Sequence, residues 1–224
     1  MKASNSLILV LGLIQPLCVY AQGTFRNLDF ELSQIPQTQP PGSVMASLAL
    51  PFWTVYFGAA PQSTVLWEEL SAGSSAVTLC GPNGTVTSIA GGYSALLFGG
   101  DTSPDVSIRQ TGIVPANAES LLFKAQVGPG KPTISVSLGG QTLPLMALST
   151  GANYTLYGAN IAQFAGLQEE LRFSAAPQSL GPSYWNIDDI VFSTAAVPEP
   201  TTSALLAVSS LTFAFWMFRR RKLT

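Results

Sequence analysis

Val77-Thr78-Leu79-Cys80-Gly81-Pro82-Asn83-Gly84-Thr85-Val86-Thr87-Ser88-Ile89 sets two short alternating runs on either side of a Gly-Pro-Asn-Gly break. Alternation with a period of two fits a strand, and Pro followed by Asn-Gly is turn chemistry, because Asn and Gly tolerate the left-handed backbone a tight reversal needs. The stretch therefore predicts strand, turn, strand. The same rhythm continues toward the C-terminus. Strand-like runs follow at 93–98, 106–110, 120–127, 133–138, 153–157, 170–175 and 184–192. Gly139-Gly140 between Leu138 and Gln141-Thr142-Leu143 reads as a hairpin turn. A helix needs a sustained 3.6-residue period. Residues 161–167 alone hint at one short turn, with Asn160 as its cap. Many short strands with turns at close spacing predict an all-β sandwich of the jelly-roll kind.

The chain has 224 residues, 47% hydrophobic and 10% charged. That charge content is well below the roughly 25% usual for soluble domains, and the two ends account for much of the difference. Residues 1–21 carry Lys2, an apolar run from Leu7 to Leu17 and the small-residue exit Val19-Tyr20-Ala21, the layout of a secretory signal cleaved after Ala21. Residues 201–218 are uncharged, and Arg219-Arg220-Arg221-Lys222 follow them. A helix of that length spans about 27 Å, close to the hydrocarbon thickness of a bilayer. The basic cluster is expected to stay cytoplasmic, with residues 22–195 outside as a single domain.

The tail has a further feature. Pro198-Glu199-Pro200 stands directly before the apolar stretch, and the Arg cluster directly after it. This three-part arrangement over 196–224 resembles the PEP-CTERM sorting signal of Gram-negative-type bacteria. The resemblance implies recognition by an exosortase-type membrane protease at the inner membrane. It also implies association with exopolysaccharide-producing, biofilm-forming cells.

The region between the ends also resembles a family, the galactose-binding-like jelly rolls found among carbohydrate-binding modules. Asn27-Leu28-Asp29-Phe30-Glu31 looks like their opening strand, and Tyr184-Trp185-Asn186-Ile187-Asp188-Asp189-Ile190-Val191-Phe192 like their closing strand. Ile108 to Pro115, followed by a strand holding Leu122-Phe123, fits the same pattern. Residues 36–60 have no clear counterpart. The resemblance implies a structural calcium between Glu31 and Asp188 or Asp189. The alternative is that these acids sit at a solvated sheet edge or cap loop backbone. Strict alternation places Leu28, Phe30 and Leu32 on one face. In the last strand it places Trp185, Ile187, Asp189 and Val191 on one face, and Asn186, Asp188, Ile190 and Phe192 on the other. An acid then interrupts each apolar row of that strand.

Composition excludes several functions. Of ten Lys and Arg, four form the terminal cluster and one is Lys2, whereas all twelve Asp and Glu except Glu199 lie in the middle. An acidic domain does not suit nucleic acid. The chain has no His, so a Ser-His-Asp triad is impossible. The doublets Glu68-Glu69, Glu169-Glu170 and Asp188-Asp189 each point to opposite faces of a strand, so none is itself a catalytic carboxylate pair. Cys18 leaves with the signal, and Cys80 reads as a small buried hydrophobe. Trp53 and Trp67, with Tyr56, Phe57, Tyr93 and Tyr184, are candidates for a sugar-stacking platform or for core filling. The expectation is a non-enzymatic cell-surface or matrix protein with a structural or interaction role. The alternative is a carbohydrate-binding module for exopolysaccharide, and a glycan-active enzyme is the distant third.

Overall fold

The computed structural model describes residues 23–71, 74, 76–101, 104–130, 133–177 and 184–197. The expected signal (1–21), the Pro198-Glu199-Pro200 motif, the apolar span 201–218 and the basic cluster Arg219, Arg220, Arg221 and Lys222 lie outside the described residues. Among the described residues no helix is long and apolar enough to cross a membrane.

In chain order the elements are β1 (Gly42–Met45), the single helical turn α1 (Ala46–Ala49), β2 (Thr54–Phe57), β3 (Ala60–Gln62), β4 (Thr64–Trp67), β5 (Ala76–Cys80), β6 (Ser94–Phe98) and β7 (Val106–Ile113). They continue with β8 (Ser120–Val127), β9 (Ile134–Leu138), β10 (Gln141–Thr142), β11 (Met146–Thr150), β12 (Thr155–Asn160), a 3-10 turn (Ala162–Phe164), β13 (Gln168–Ala175) and β14 (Tyr184–Ser193). The strands form an eight-stranded sheet, β1-β4-β5-β6-β14-β8-β12-β11, and a six-stranded sheet, β10-β9-β13-β7-β2-β3. From β6 onward the chain alternates between the sheets: β6 to β7 to β8, then β9, then β12, β13 and β14. This crossing back and forth is jelly-roll-like and seals the core from both sides.

The core follows from alternation. Leu121, Phe123 and Ala125 of β8 and Leu171, Phe173 and Ala175 of β13 all point inward and are buried. Phe123 meets Phe173 edge-on across the sandwich at 5.2 Å between centroids and stacks on Tyr157 at 5.6 Å. The 138–141 hairpin forms as expected, with Gln141 opposite Leu138 and both Gly139 and Gly140 at positive φ. The 3-10 turn sits where the cap was read: the Ala162 N–H donates to Asn160 Oδ1 at 3.0 Å.

Three expectations need correction. Residues 27–31 do not form a strand. Asn27 and Phe30 have positive φ, so Leu28 and Phe30 are buried while Leu32 is half exposed. The opening segment nevertheless lies against the closing strand, where the Ile190 N–H donates to the Leu28 carbonyl at 3.0 Å. Residues 85–89 do not form a strand either. They belong to a loop laid over the outer face of β5 and β6, where Val86 packs with Ala76, Cys80, Leu96 and Phe98 in a second, smaller apolar cluster.

The third correction concerns β14. Its pairing with β8 shifts register between Asp188 and Val191, and Asp189 has positive φ. This β-bulge inserts one residue into the alternation. The inward row becomes Trp185, Ile187, Ile190 and Phe192, all in the main core, and neither acid interrupts it.

Candidate functional site

The two tryptophans do not form a sugar platform. Trp53 is 5% exposed and Trp67 0%. Each indole N–H is consumed by a backbone carbonyl, Trp53 to Asn27 at 2.9 Å and Trp67 to Gln39 at 2.8 Å. A buried Trp needs such a partner, and here the bonds pin the irregular opening segment to the sheets.

The three acids separate into two roles. Glu31 Oε1 accepts the N–H groups of Gly92 and Tyr93 at 2.8 and 3.0 Å. Asp188 Oδ2 accepts the Ala90 N–H at 3.0 Å, and its Oδ1 accepts the Asp189 N–H at 2.7 Å. Together they clasp the end of the covering loop. Asn186 holds the same loop one step earlier, bonding the Thr87 carbonyl at 3.1 Å and accepting the Ser94 hydroxyl at 2.7 Å. Burial, more than the neighbouring Asp189 and Glu31 charges, pushes the Asp188 carboxyl up to about 8. Asp189 is turned by the bulge to Lys124, 2.6 Å away. Calcium wants several carboxylate and carbonyl oxygens turned to one point. These carboxylates face N–H donors and an ammonium, and among the described residues no three His, Cys, Asp or Glu gather as a metal set. The residues therefore do not fit the calcium site that the resemblance implied.

The covering loop occupies only the β5–β6 half of the wide sheet. Over β14, β8 and β12 the outer face carries a groove of about 400 Å³ lined by Leu122, Lys124, Tyr154, Leu156, Asp189 and Val191. Leu122 and Lys124 are outward residues of β8, Leu156 is outward on β12, and the bulge presents Asp189 and Val191. Tyr154 comes from the β11–β12 turn, which the Gly151 N–H closes onto the Tyr154 carbonyl at 2.8 Å. A Cβ at Gly151 would sit 2.8 Å from the phenol ring, so glycine lets the ring lie back over the turn. Lys124 Nζ is 4.9 Å from the ring centroid. Its bond to Asp189 raises its pKa, so it stays charged. A second depression of about 340 Å³ continues on the far side of Tyr154, past Gln126, Thr150, Asn153 and Thr155. The Asn153 amide donates to the Ile89 carbonyl at 3.2 Å. The clasped loop thus braces the turn that carries Tyr154. A third depression of about 240 Å³, among Ser43, Phe57, Gln62, Thr64, Leu66 and Ser71, has no charged lining residue among the described residues.

Of the groove residues, Asp189 alone stands out in the sequence as a site candidate; Leu122 and Val191 read only as strand positions. Tyr154 falls in a run that reads as strand, and its place over the groove depends on a turn and on pairing between strands far apart in sequence.

No protein family and no curated protein matches the chain. Among solved structures it is similar to TmCBM61 in complex with beta-1,4-galactotriose (14% identity, TM-score 0.44, 76% of this chain and 97% of that one). It is also similar to a family 11 carbohydrate-binding module from Clostridium thermocellum in complex with a beta-1,3-1,4-mixed-linked tetrasaccharide (9% identity, TM-score 0.38, 71% and 100%). A family 29 carbohydrate-binding module matches at 18% identity and TM-score 0.34, over 66% and 94%.

Proposed function

We propose that the domain is a non-catalytic carbohydrate-binding module of an exported protein, taking a polysaccharide chain along the outer face of its wide sheet at Tyr154. The observation that carries this reading is the groove itself. A half-buried phenol ring suits the apolar face of a sugar. The Leu122, Leu156 and Val191 floor sheds water, and the adjacent Lys124–Asp189 pair offers both donors and acceptors to hydroxyls. Few polar groups over an apolar floor is the usual balance of a ligand site. The groove and the neighbouring depression are both open, which suits a chain passing through. Among the described residues Asp189 is the one carboxylate in the groove, and it is ion-paired, which supports binding without hydrolysis.

The setting comes from the ends of the sequence. The signal at 1–21 and the PEP-CTERM-like tail at 196–224 support export, tethering at the inner membrane, processing by an exosortase-type protease, and a place among exopolysaccharide at the cell surface. The mass of the protein recovered from native cells tests this part. Retention of Arg219 to Lys222 in the mature form would sink the processing claim.

Affinity electrophoresis against neutral polysaccharides, including β-1,4-galactan and mixed-linked β-glucan, tests the binding. Retardation is expected with at least one, reduced tenfold or more by Tyr154→Ala, with no release of reducing ends. Equal retardation of Tyr154→Ala and the parent, or none by any polysaccharide, defeats the proposed site.

A further inference from the structure

The six-stranded sheet has an outer face of its own, and its charge is unlike the rest of the domain. Arg109 of β7 and Arg172 of β13 stand directly opposite each other in the antiparallel register. Like charges at directly opposed positions are destabilising, and outward positions on a sheet do not demand arginine. Both guanidinium groups reach toward one corner. Arg109 Nη2 donates to the Gly58 carbonyl at 3.2 Å, and Arg172 Nη2 to Asp105 Oδ2 at 2.6 Å. The Gly58 N–H in turn donates to the Asp105 carbonyl at 2.7 Å. The plane of Arg109 is fixed in advance: its guanidinium carbon lies 3.9 Å over the Tyr56 ring, and its Nε donates to Ser107 Oγ at 3.1 Å. Ser107 and Ser174 are paired at the next outward step. Among the described residues Asp105 is the one carboxylate in ion-pair contact with either arginine. Glu170, the next outward residue of β13, makes no such pair. The Arg172 Nε–H is buried without an acceptor. Among the described residues the corner thus holds two guanidinium groups against one carboxylate, and Arg172 and Asp105 remain partly exposed.

We propose that this corner binds the carboxylate of an acidic sugar, as a second glycan site on the opposite face from Tyr154 and independent of it. A guanidinium fork matches a planar carboxylate with two parallel bonds. A group already held by stacking and hydrogen bonds loses little freedom on binding. Ser174, half-buried beside Arg172, lies where a sugar hydroxyl flanking the carboxylate can meet it, whereas Ser107 is buried and serves to hold Arg109. Asp105 orients Arg172 and leaves the pair with a net positive charge.

Titration calorimetry of the full chain with oligogalacturonate at low salt is the test. Binding is expected to weaken at least tenfold in Arg109→Gln and in Arg172→Gln, and to remain in Tyr154→Ala. Unfolding midpoints of the variants are measured alongside, and Arg109→Lys is expected to fold as the parent does yet bind more weakly, because it keeps charge and loses the fork. Affinity of the parent unchanged by either Gln substitution overturns the proposal, as does absence of binding. Equal affinity for inorganic sulfate and for oligogalacturonate also overturns it, since the corner then reads charge alone. Failure of Tyr154→Ala to affect neutral glycans leaves this result untouched, so the two sites stand or fall separately.

Discussion

Asp188 ties the stability of the domain to pH. Its native carboxyl holds a proton to about pH 8 because it is buried, whereas an unfolded Asp ionises near ~4. Between those limits the native state binds a proton that the unfolded state does not. Stability is therefore fully present below the unfolded value and falls as pH rises toward about 8, by up to about 1.4 kcal/mol per pH unit. Urea midpoints at pH 5 and pH 8 are expected to differ clearly in the parent and much less in Asp188→Asn. Equal slopes in the two would show that Asp188 is not the titrating group. Cys80 makes the opposite kind of residue, one that chemistry cannot reach. Burial pushes its thiol up to about 12, so little thiolate exists at neutral pH and reagents have no access. A maleimide is expected to leave Cys80 unlabelled in the folded protein at pH 8 and to label it once denaturant unfolds the chain. Its reading as a small buried hydrophobe required only the apolar run around it.

At the scale of elements, hairpins and long strands were legible because their signals are local. Gly139-Gly140 announces its own turn, and its cost can be measured. Both residues sit at positive φ, and a Cβ at Gly139 would meet the Glu169 carboxylate. Gly139→Ala is expected to destabilise by about 1–2 kcal/mol, read from denaturant unfolding. The segment 27–31 was legible as apolar and acidic by turns but not as irregular backbone, because its shape is imposed by Asn27. The Asn27 side chain accepts from the Leu32 N–H and donates to the Pro51 carbonyl. The bulge in β14 was hidden for a related reason. Two adjacent acids looked like one on each face, and only the Lys124 partner on β8 shows why the backbone turns. Residues 85–89 alternate like a strand, yet they are held as a loop by Asn186, Asp188 and Glu31, which lie far away in sequence. Glu31→Ala is expected to speed amide exchange at Gly92 and Tyr93 by at least an order of magnitude. Protection unchanged there would show that the loop does not need the clasp.

For the whole molecule, one core joins the two sheets, and Phe123 stands at its centre against Phe173 and Tyr157. Phe123→Ala is expected to cost about 3–5 kcal/mol, a large share of the ~5–15 kcal/mol usual for a domain. A shift of the urea midpoint without a change in slope would record it. The all-β sandwich was legible at this scale from turn spacing alone. The two faces proposed to bind glycans were not. Tyr154 and Asp189, or Arg109 and Arg172, come together only through the order of strands in each sheet, which periodicity does not encode.

The last strand, β14, lies between β6 and β8, in the middle of the wide sheet rather than at its edge. A ribosome delivers β6 and β8 early and must finish the chain before the strand that joins them exists. At ~5–20 residues per second, the stretch between β8 and the end of β14 takes roughly 3–13 s to synthesise. During that interval the sheet is split, with two hydrogen-bonding edges open and the main core incomplete. The export proposed above would then act on a chain still loose enough to thread, since the sheet locks only when nearly all of the domain has been made. A premature stop before residue 184 accordingly yields no smaller sandwich, but two unpaired edges ready to recruit a neighbour's strand.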